Sequence, residues 1–330
     1  MKKVPRLKDI AELAEVSIGT VDRVLHNRGR VALKTREKVL TIAKDVGYQP
    51  NIHASMLANS NRNYQITILI PQKGMDPFWD RVHVGLVKAL TQIGQQNVKV
   101  TICEFDLFDP VDFSKKASAL DLTSVDGMII APIFYRECEP HLNEIHKKRI
   151  PYVLINTLVD SEHSSFLSYI GPNSYQSGRL AARLLAQHCT AGEKVLMIPL
   201  EKDFSNAHHM IEKERGFRDC FLEIAPFVKV ITVEFEDYDD PEALADFLTK
   251  RLRKYPSLKG IYTSASRIDK IAAFFQAHDV HHVKLIGYDT LDENLKYLDS
   301  GHISYLINQN PNLMGYLSLI YLSKYLVFSS

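Results

Sequence analysis

From residue 65 onward, short runs of apolar and β-branched residues recur between helix-forming segments, and this alternation constrains the fold more than any other feature of the chain. QITILIPQ (65–72), VKVTICEF (98–105), DGMIIAP (126–132) and PYVLINT (151–157) alternate with helical stretches such as 81–93 and 139–148. Strands that are apolar on both faces need cover on both faces, which a parallel sheet of βαβ units supplies. The rhythm then repeats. KVLMIPL (194–200), VKVITVEF (228–235), GIYTS (260–264) and VKLIGYD (283–289) are separated by helical stretches over 206–223, 241–255 and 267–278. About 265 residues of this pattern overfill one small doubly wound sheet and suit two α/β lobes. Two such lobes face each other across a cleft at the carboxyl ends of their strands, where open α/β sheets bind ligands.

The N-terminal region keeps a different period. Ile10, Leu13 and Ala14 fall at helical spacing, and Ser17 is a favoured N-cap for a second helix over 18–26. That helix turns Val21, Val24 and Leu25 inward and keeps Ile18, Gly19, Asp22 and Arg23 near its outer N-terminal end, where a recognition helix reads bases. Residues 27–30 carry a turn signal, and a third helix with Val39, Ile42, Ala43 and Val46 inward ends at Gly47. An inert three-helix bundle has the same periodicity, so charge decides. Residues 1–62 hold 12 Lys/Arg against 6 Asp/Glu, a net of +6, while the remaining 268 hold 28 against 33, a net of −5. A basic head on an acidic body is the asymmetry expected if only the head meets phosphate.

The pattern D-I-A-x-L-A-x-V-S-x-x-T-V-x-R-V-L over 9–25, T-R-E-K-V over 35–39 and G-Y-x-P-N over 47–51 resembles the DNA-binding head of the LacI/GalR family. The resemblance implies an all-α helix-turn-helix head on a double-stranded operator. By position, Ile18, Gly19 and Arg23 match the family's major-groove readers, with Arg23 able to present two donors to a guanine edge. Ser17, Thr20, Asn27 and Thr35 match positions that touch phosphate or brace the helices; Thr20 fits simple packing as well. Asp22 stands where a small hydroxyl residue is common, and a carboxylate there repels phosphate unless it accepts from a cytosine amine or pairs with Arg23. Ala32 replaces a usual Ser cap, a loss worth about 1 kcal/mol.

The same resemblance extends over 51–58 to the family's hinge helix, in which Asn51, Ala54 and Leu57 meet DNA and Leu57 wedges into the minor groove; a buried linker role is the alternative for Leu57. Seven or eight residues are too few for a stable isolated helix, so this segment is expected to become helical against DNA. The expected domains are therefore a head over 1–50, hinge and linker over 51–64, and a two-lobed effector-binding and dimerisation body over 65–330.

That body resembles the type I periplasmic sugar-binding fold that the family carries after its head. The resemblance implies an effector site containing Phe78 and Trp79 of the loop Asp76-Pro77-Phe78-Trp79, Asn156 after PYVLI, Lys213 of KERGF, Asp289 of GYDT, and Gln309 of the Q-x-P-x-x-M-G crossover. Phe78 and Trp79 fit lobe core as well as a ligand face, and Asp289 fits a helix cap. Asn156 replaces a usual Asp, Lys213 a usual Arg, and Ala265-Ser266 a usual Asn-Asp, with Arg267 alongside. A pocket that loses carboxylates and keeps cations suggests a sugar acid, sugar phosphate or other anion over a neutral hexose, and Lys lacks the bidentate fork of Arg.

Other chemistry leaves little trace. The chain lacks a phosphate loop, a G-x-G-x-x-G after a strand, H-E-x-x-H and G-x-S-x-G, so no enzyme, cofactor or catalytic residue is expected. His208, His209 and Glu212 fit exposed surface better than a metal site. Cys103, Cys138, Cys189 and Cys220 lack paired spacing and read as reduced thiols. The start MKKVPRLKDIAEL has no uninterrupted apolar stretch and no run reaches about 18 apolar residues, so a cytoplasmic protein without membrane contact is expected. The resemblance further implies a homodimer or tetramer that represses from a near-palindromic operator; a solute sensor or sugar-binding protein that does not bind DNA is the alternative. By the same comparison the helical stretch over 314–326 closes about 10 to 20 residues early, which would leave an edge of the second sheet unpaired.

Overall fold

The computed structural model describes residues 6–25, 29, 31–46, 62–94, 97–159 and 166–329. The chain divides into two compact units, the larger spanning Tyr64–Ser323.

In the smaller unit, helices α1 (Leu7–Ala14), α2 (Ile18–Leu25) and α3 (Leu33–Asp45) enclose Ile10, Ala14, Val21, Val24, Val39 and Ala43. These are the positions where helical periodicity brings apolar residues to one face. The tight α1–α2 turn uses Glu15 in the left-handed region (φ 57°), and the Ser17 hydroxyl accepts from the Thr20 amide at 3.1 Å to cap α2. Ala32 precedes α3 without any side-chain cap. The expected ends of the second and third helices, His26 and Gly47, lie outside the described residues.

The larger unit holds two five-stranded parallel sheets. In the first lobe, β1 (Tyr64–Pro71), β2 (Val98–Phe105), β3 (Gly127–Ile130), β4 (Tyr152–Ile155) and β5 (Ser168–Ile170) lie in the order β2-β1-β3-β4-β5. Helices α4 (Pro77–Ile93), α5 (Pro110–Ser118) and α6 (Tyr135–Lys147) connect the first four. In the second lobe, β6 (Lys194–Met197), β7 (Lys229–Thr232), β8 (Leu258–Tyr262), β9 (Lys284–Tyr288) and β10 (Tyr305–Ile307) lie in the order β10-β9-β8-β6-β7. Its helices are α7 (Ser174–Ala186), α8 (His208–Ile224), α9 (Pro241–Lys254), α10 (Ile268–Ala277) and α11 (Asp292–Asp299), and α12 (Pro311–Ser329) comes after β10. Central strands such as β3 and β4 are buried throughout, as helices on both faces require.

Two local differences from the sequence expectation bear on the site. Asp76-Pro77-Phe78-Trp79 is not a loop: Asp76 accepts from the Phe78 amide at 2.9 Å and caps α4, with Pro77 as its first residue. Strands β5 and β10 are three half-buried residues each, too short to register as apolar runs. In the second lobe, α7 and α8 cross at contact distance. A Cβ on Gly178 would lie 2.0 Å from the Lys213 carbonyl oxygen, and one on Gly216 would lie 2.0 Å from that of Tyr175. Only glycine permits this approach, and it fixes the height at which Lys213 enters the cleft.

Candidate functional site: an inter-lobe cleft and an exposed recognition helix

The carboxyl ends of both sheets border one cleft enclosing about 840 Å³ of atom-free space, part of it open to solvent. Turns leave the strands along this border. Asn156, directly after β4, and Asp289, directly after β9, both adopt left-handed backbone (φ 64° and 68°), a conformation that Asn and Asp tolerate better than most residues.

From the first lobe, Phe78 and Trp79 both line the cleft, packed edge to face at 5.3 Å. Both are also largely buried, so they serve core and cavity wall together. Asn156 lines the cleft as well, and its amide makes only a 3.5 Å contact with Thr157 Oγ1, too long to occupy it fully.

From the second lobe, Lys213 is 2% exposed. Its Nζ donates to the Ser264 carbonyl and to Gln309 Oε1, each at 3.1 Å, and stands 3.7 Å above the Tyr288 ring. Burial lowers its pKa to about 8, with Asp289 opposing. Gln309 and Arg267 line the cleft; Arg267 Nη2 pairs with Asp76 Oδ2 at 3.0 Å. Ser264 also borders it with a buried hydroxyl that has no protein partner among the described residues.

Asp289 differs from expectation. It is 0% exposed and stays behind the wall, accepting from Ser266 Oγ at 2.7 Å, the Gln309 amide at 3.1 Å and Gln309 Nε2 at 2.8 Å. Burial pushes its carboxyl above the usual range, while Ser266, Lys213 and Gln309 pull it back. It therefore orients Gln309 and Ser266, which do reach the cavity, and does not itself reach it.

The expected cation excess is also absent. Asp76, Glu201 and Asp203 line the same cavity as Lys202, Lys213 and Arg267, so its formal charges balance. Sequence reasoning missed Glu201 and Asp203 because no resembled motif covers the turn after β6. Their position just past the run KVLMIPL was the available signal. His209 was missed too. Its ring lines the cleft and contacts Thr157 Oγ1 at 3.2 Å, and burial, with Lys213 and His208, lowers its pKa to about 3. It is thus a neutral wall residue where an exposed histidine was expected. Among the described residues, no group of three His, Cys, Asp or Glu could hold a metal, and the four cysteines are free.

On the head, Ile18 is 48% exposed and Gly19 and Arg23 are exposed beside it, while Thr20, Asp22 and Thr35 are half-buried. Arg23 Nε donates to the Gly19 carbonyl at 3.0 Å, laying the guanidinium along its own helix. Ser17 Oγ lies 2.9 Å from Thr20 Oγ1. Asn27, Asn51, Ala54 and Leu57 lie outside the described residues.

Comparison with known proteins fits these two regions separately. A family profile described as "Bacterial regulatory proteins, lacI family" matches residues 6–51, and one described as "Periplasmic binding protein domain" matches 66–328. The chain belongs to the LacI family. A sucrose operon repressor of Klebsiella pneumoniae is 51% identical over 187 residues, 55% of this chain and 52% of that one. The regulator DegA of Bacillus subtilis is 34% identical over 149 residues, 45% of this chain and 42% of its own. The chain thus spans about half the length of these curated relatives. A crystal structure of a Bacteroides fragilis protein assigned to the LacI transcriptional regulators superposes with a TM-score of 0.73 at 26% identity, covering 82% of this chain and 92% of that one. Among the described residues of this LacI-family chain, no helix is long and apolar enough to cross a membrane.

Proposed function

We propose that the protein is a ligand-responsive transcriptional repressor that binds a near-palindromic operator as a dimer. A small polyhydroxylated molecule in the cleft sets its affinity for DNA. The observation that carries this reading is the union, in one chain, of a lacI-type head with an exposed recognition helix and a polar, aromatic-walled cleft. The names of relatives, among them sucrose operon repressors, favour a sugar. In this reading 1–50 is the head, 51–64 the hinge and linker, and 65–330 the effector-binding and dimerisation body. The protein works in the cytoplasm as a regulator, not as an enzyme.

Charge favours a neutral sugar over an acidic one. A carboxylate or phosphate in the cleft would meet Asp76, Glu201 and Asp203, while Lys213 and Arg267 are already engaged by the protein. A sugar ring offers C–H faces to Trp79 and Phe78 and hydroxyls to Asn156, Gln309 and the Ser264 hydroxyl. Cleft and operator are then coupled reciprocally, typically by about 1–3 kcal/mol. Footprinting the full chain with a panel of neutral sugars and sugar acids tests this. A protected palindrome whose affinity changes with a neutral sugar is expected. No protected palindrome under any condition would remove the regulator reading, and a response confined to acidic ligands would remove the neutral-sugar reading.

A further inference from the structure

The Arg267 guanidinium sits in a cage built by both lobes. Its own lobe supplies the Leu200 carbonyl at 3.3 Å from Nη1, Glu201 Oε2 at 3.8 Å from Nη1, and the Tyr238 ring at 5.3 Å. The opposite lobe supplies Asp76 Oδ2 at 3.0 Å and the Phe108 ring at 5.4 Å. Asp76 and Arg267 side chains are only 9% and 15% exposed, so solvent screens this pair little. Two carboxylates, a carbonyl and two aromatic faces within cation–π range are a full set of partners for a planar, permanently charged guanidinium. Leu200 adopts left-handed backbone (φ 52°), uncommon for a bulky residue, at the point where its carbonyl meets Arg267.

We propose that Arg267 is a built-in ligand for cleft closure: the second lobe holds its guanidinium ready, and the first lobe closes onto it through Asp76 and Phe108. A free effector then adds to a closing force that the chain already carries. The cage is half complete within the second lobe, because Leu200, Glu201 and Tyr238 do not depend on closure, so opening costs Arg267 only its cross-lobe partners. This inference rests on the two-lobed fold and does not require the operator or sugar reading.

The chain's single tryptophan, Trp79, lies three residues from Asp76 and is largely buried in the cleft wall, so its accessibility reports closure. Acrylamide quenching of the full chain, without sugar or DNA, is the measurement. Arg267→Ala is expected to raise the quenching constant about twofold or more by shifting the population toward open lobes. Methylguanidinium at millimolar concentration should reverse the rise, and methylammonium should not, because it lacks the planar fork. Asp76→Asn keeps the cap on α4 and removes the charge; it should raise quenching in the same direction and add little to Arg267→Ala. If Arg267→Ala does not fold, as judged by circular dichroism, Asp76→Asn and Arg267→Lys carry the test with the same expected direction. Unchanged quenching in the folded variants, equal rescue by methylammonium, or full additivity of the two substitutions would each overturn the proposal.

Discussion

On the first-lobe side of the cleft, Phe78, Trp79, Phe108 and Phe134 present rings, with Asp76 and Asn156 as the polar exceptions. Across from them the second lobe brings Glu201, Lys202, Asp203, His209, Lys213 and Arg267. The two walls arise from the same topology, so the difference lies in the segment that leaves each strand. Residues 72–76 make one short turn after β1 and lead into α4, whose first turn packs Phe78 and Trp79 against the lobe. Residues 198–207 after β6 make a longer connection of irregular, turn and 3₁₀ backbone before α8, which leaves room for charged side chains. One wall therefore supplies surface and the other supplies orientation, and a ligand needs both.

The largest expected effect tests whether the aromatic wall is also structure. Trp79 is 4% exposed, so Trp79→Ala removes a large side chain from packed surroundings and should destabilise the body by about 4 kcal/mol in urea unfolding. A loss below about 1 kcal/mol would make Trp79 a ligand platform alone and sharpen the contrast between the walls. Next in size is Asp289→Ala on the charged side. It strips Ser266, the Gln309 amide and Gln309 Nε2 of their acceptor and leaves the Lys213 cation without its nearby carboxylate. A cost of about 3 kcal/mol is expected in the same assay.

Lys213 gives a prediction whose sign depends on pH. Its ordinary pKa of 10.5 falls to about 8 in the fold, chiefly through burial. Between those values the unfolded chain binds more protons than the folded one, so this group's contribution rises with pH from 8 to 10.5 and is level outside that window. The difference in stability between the protein and Lys213→Met should therefore shift in favour of the lysine by up to roughly 3 kcal/mol across that range. Buried tyrosines and cysteines titrate in the opposite direction, and taking the difference between the two proteins cancels them. A pH-independent difference would mean that Lys213 has the same affinity for protons in both states and that the second wall is more hydrated than its burial implies.

The contrast between the walls also explains how much was legible in the sequence. Strands β1–β4 and β6–β9 coincide with the apolar runs because burial on both faces leaves a one-dimensional signature, and the head's helices arise from periodicity and one cap. The helix start at Pro77 was written in Asp-Pro, a cap next to a residue with no amide to leave unpaired, yet the likeness to a sugar-binding loop obscured it. Asn156, Lys213, Arg267 and Gln309 reach the cavity from motif positions. Asp289 does not, because whether a carboxylate faces a cavity or its own neighbours depends on the depth of the side chains around it. Glu201 and Asp203 had no motif, and only the rule that strand ends border the cleft could find them.

The smallest effect on stability comes at Asn156, the polar exception in the aromatic wall. Its left-handed backbone suits glycine at least as well, and its side chain makes no short hydrogen bond among the described residues. Asn156→Gly should thus change unfolding free energy by less than about 1 kcal/mol. If the side chain instead bonds a ligand hydroxyl, the same substitution should weaken sugar binding about tenfold by calorimetry, the equivalent of one hydrogen bond of about 1.4 kcal/mol. Tenfold weaker binding with unchanged stability would place orienting chemistry on both walls and reduce the contrast to one of degree. Unchanged affinity would leave orientation to the second lobe alone, with the first contributing its rings and the closing contacts to Arg267.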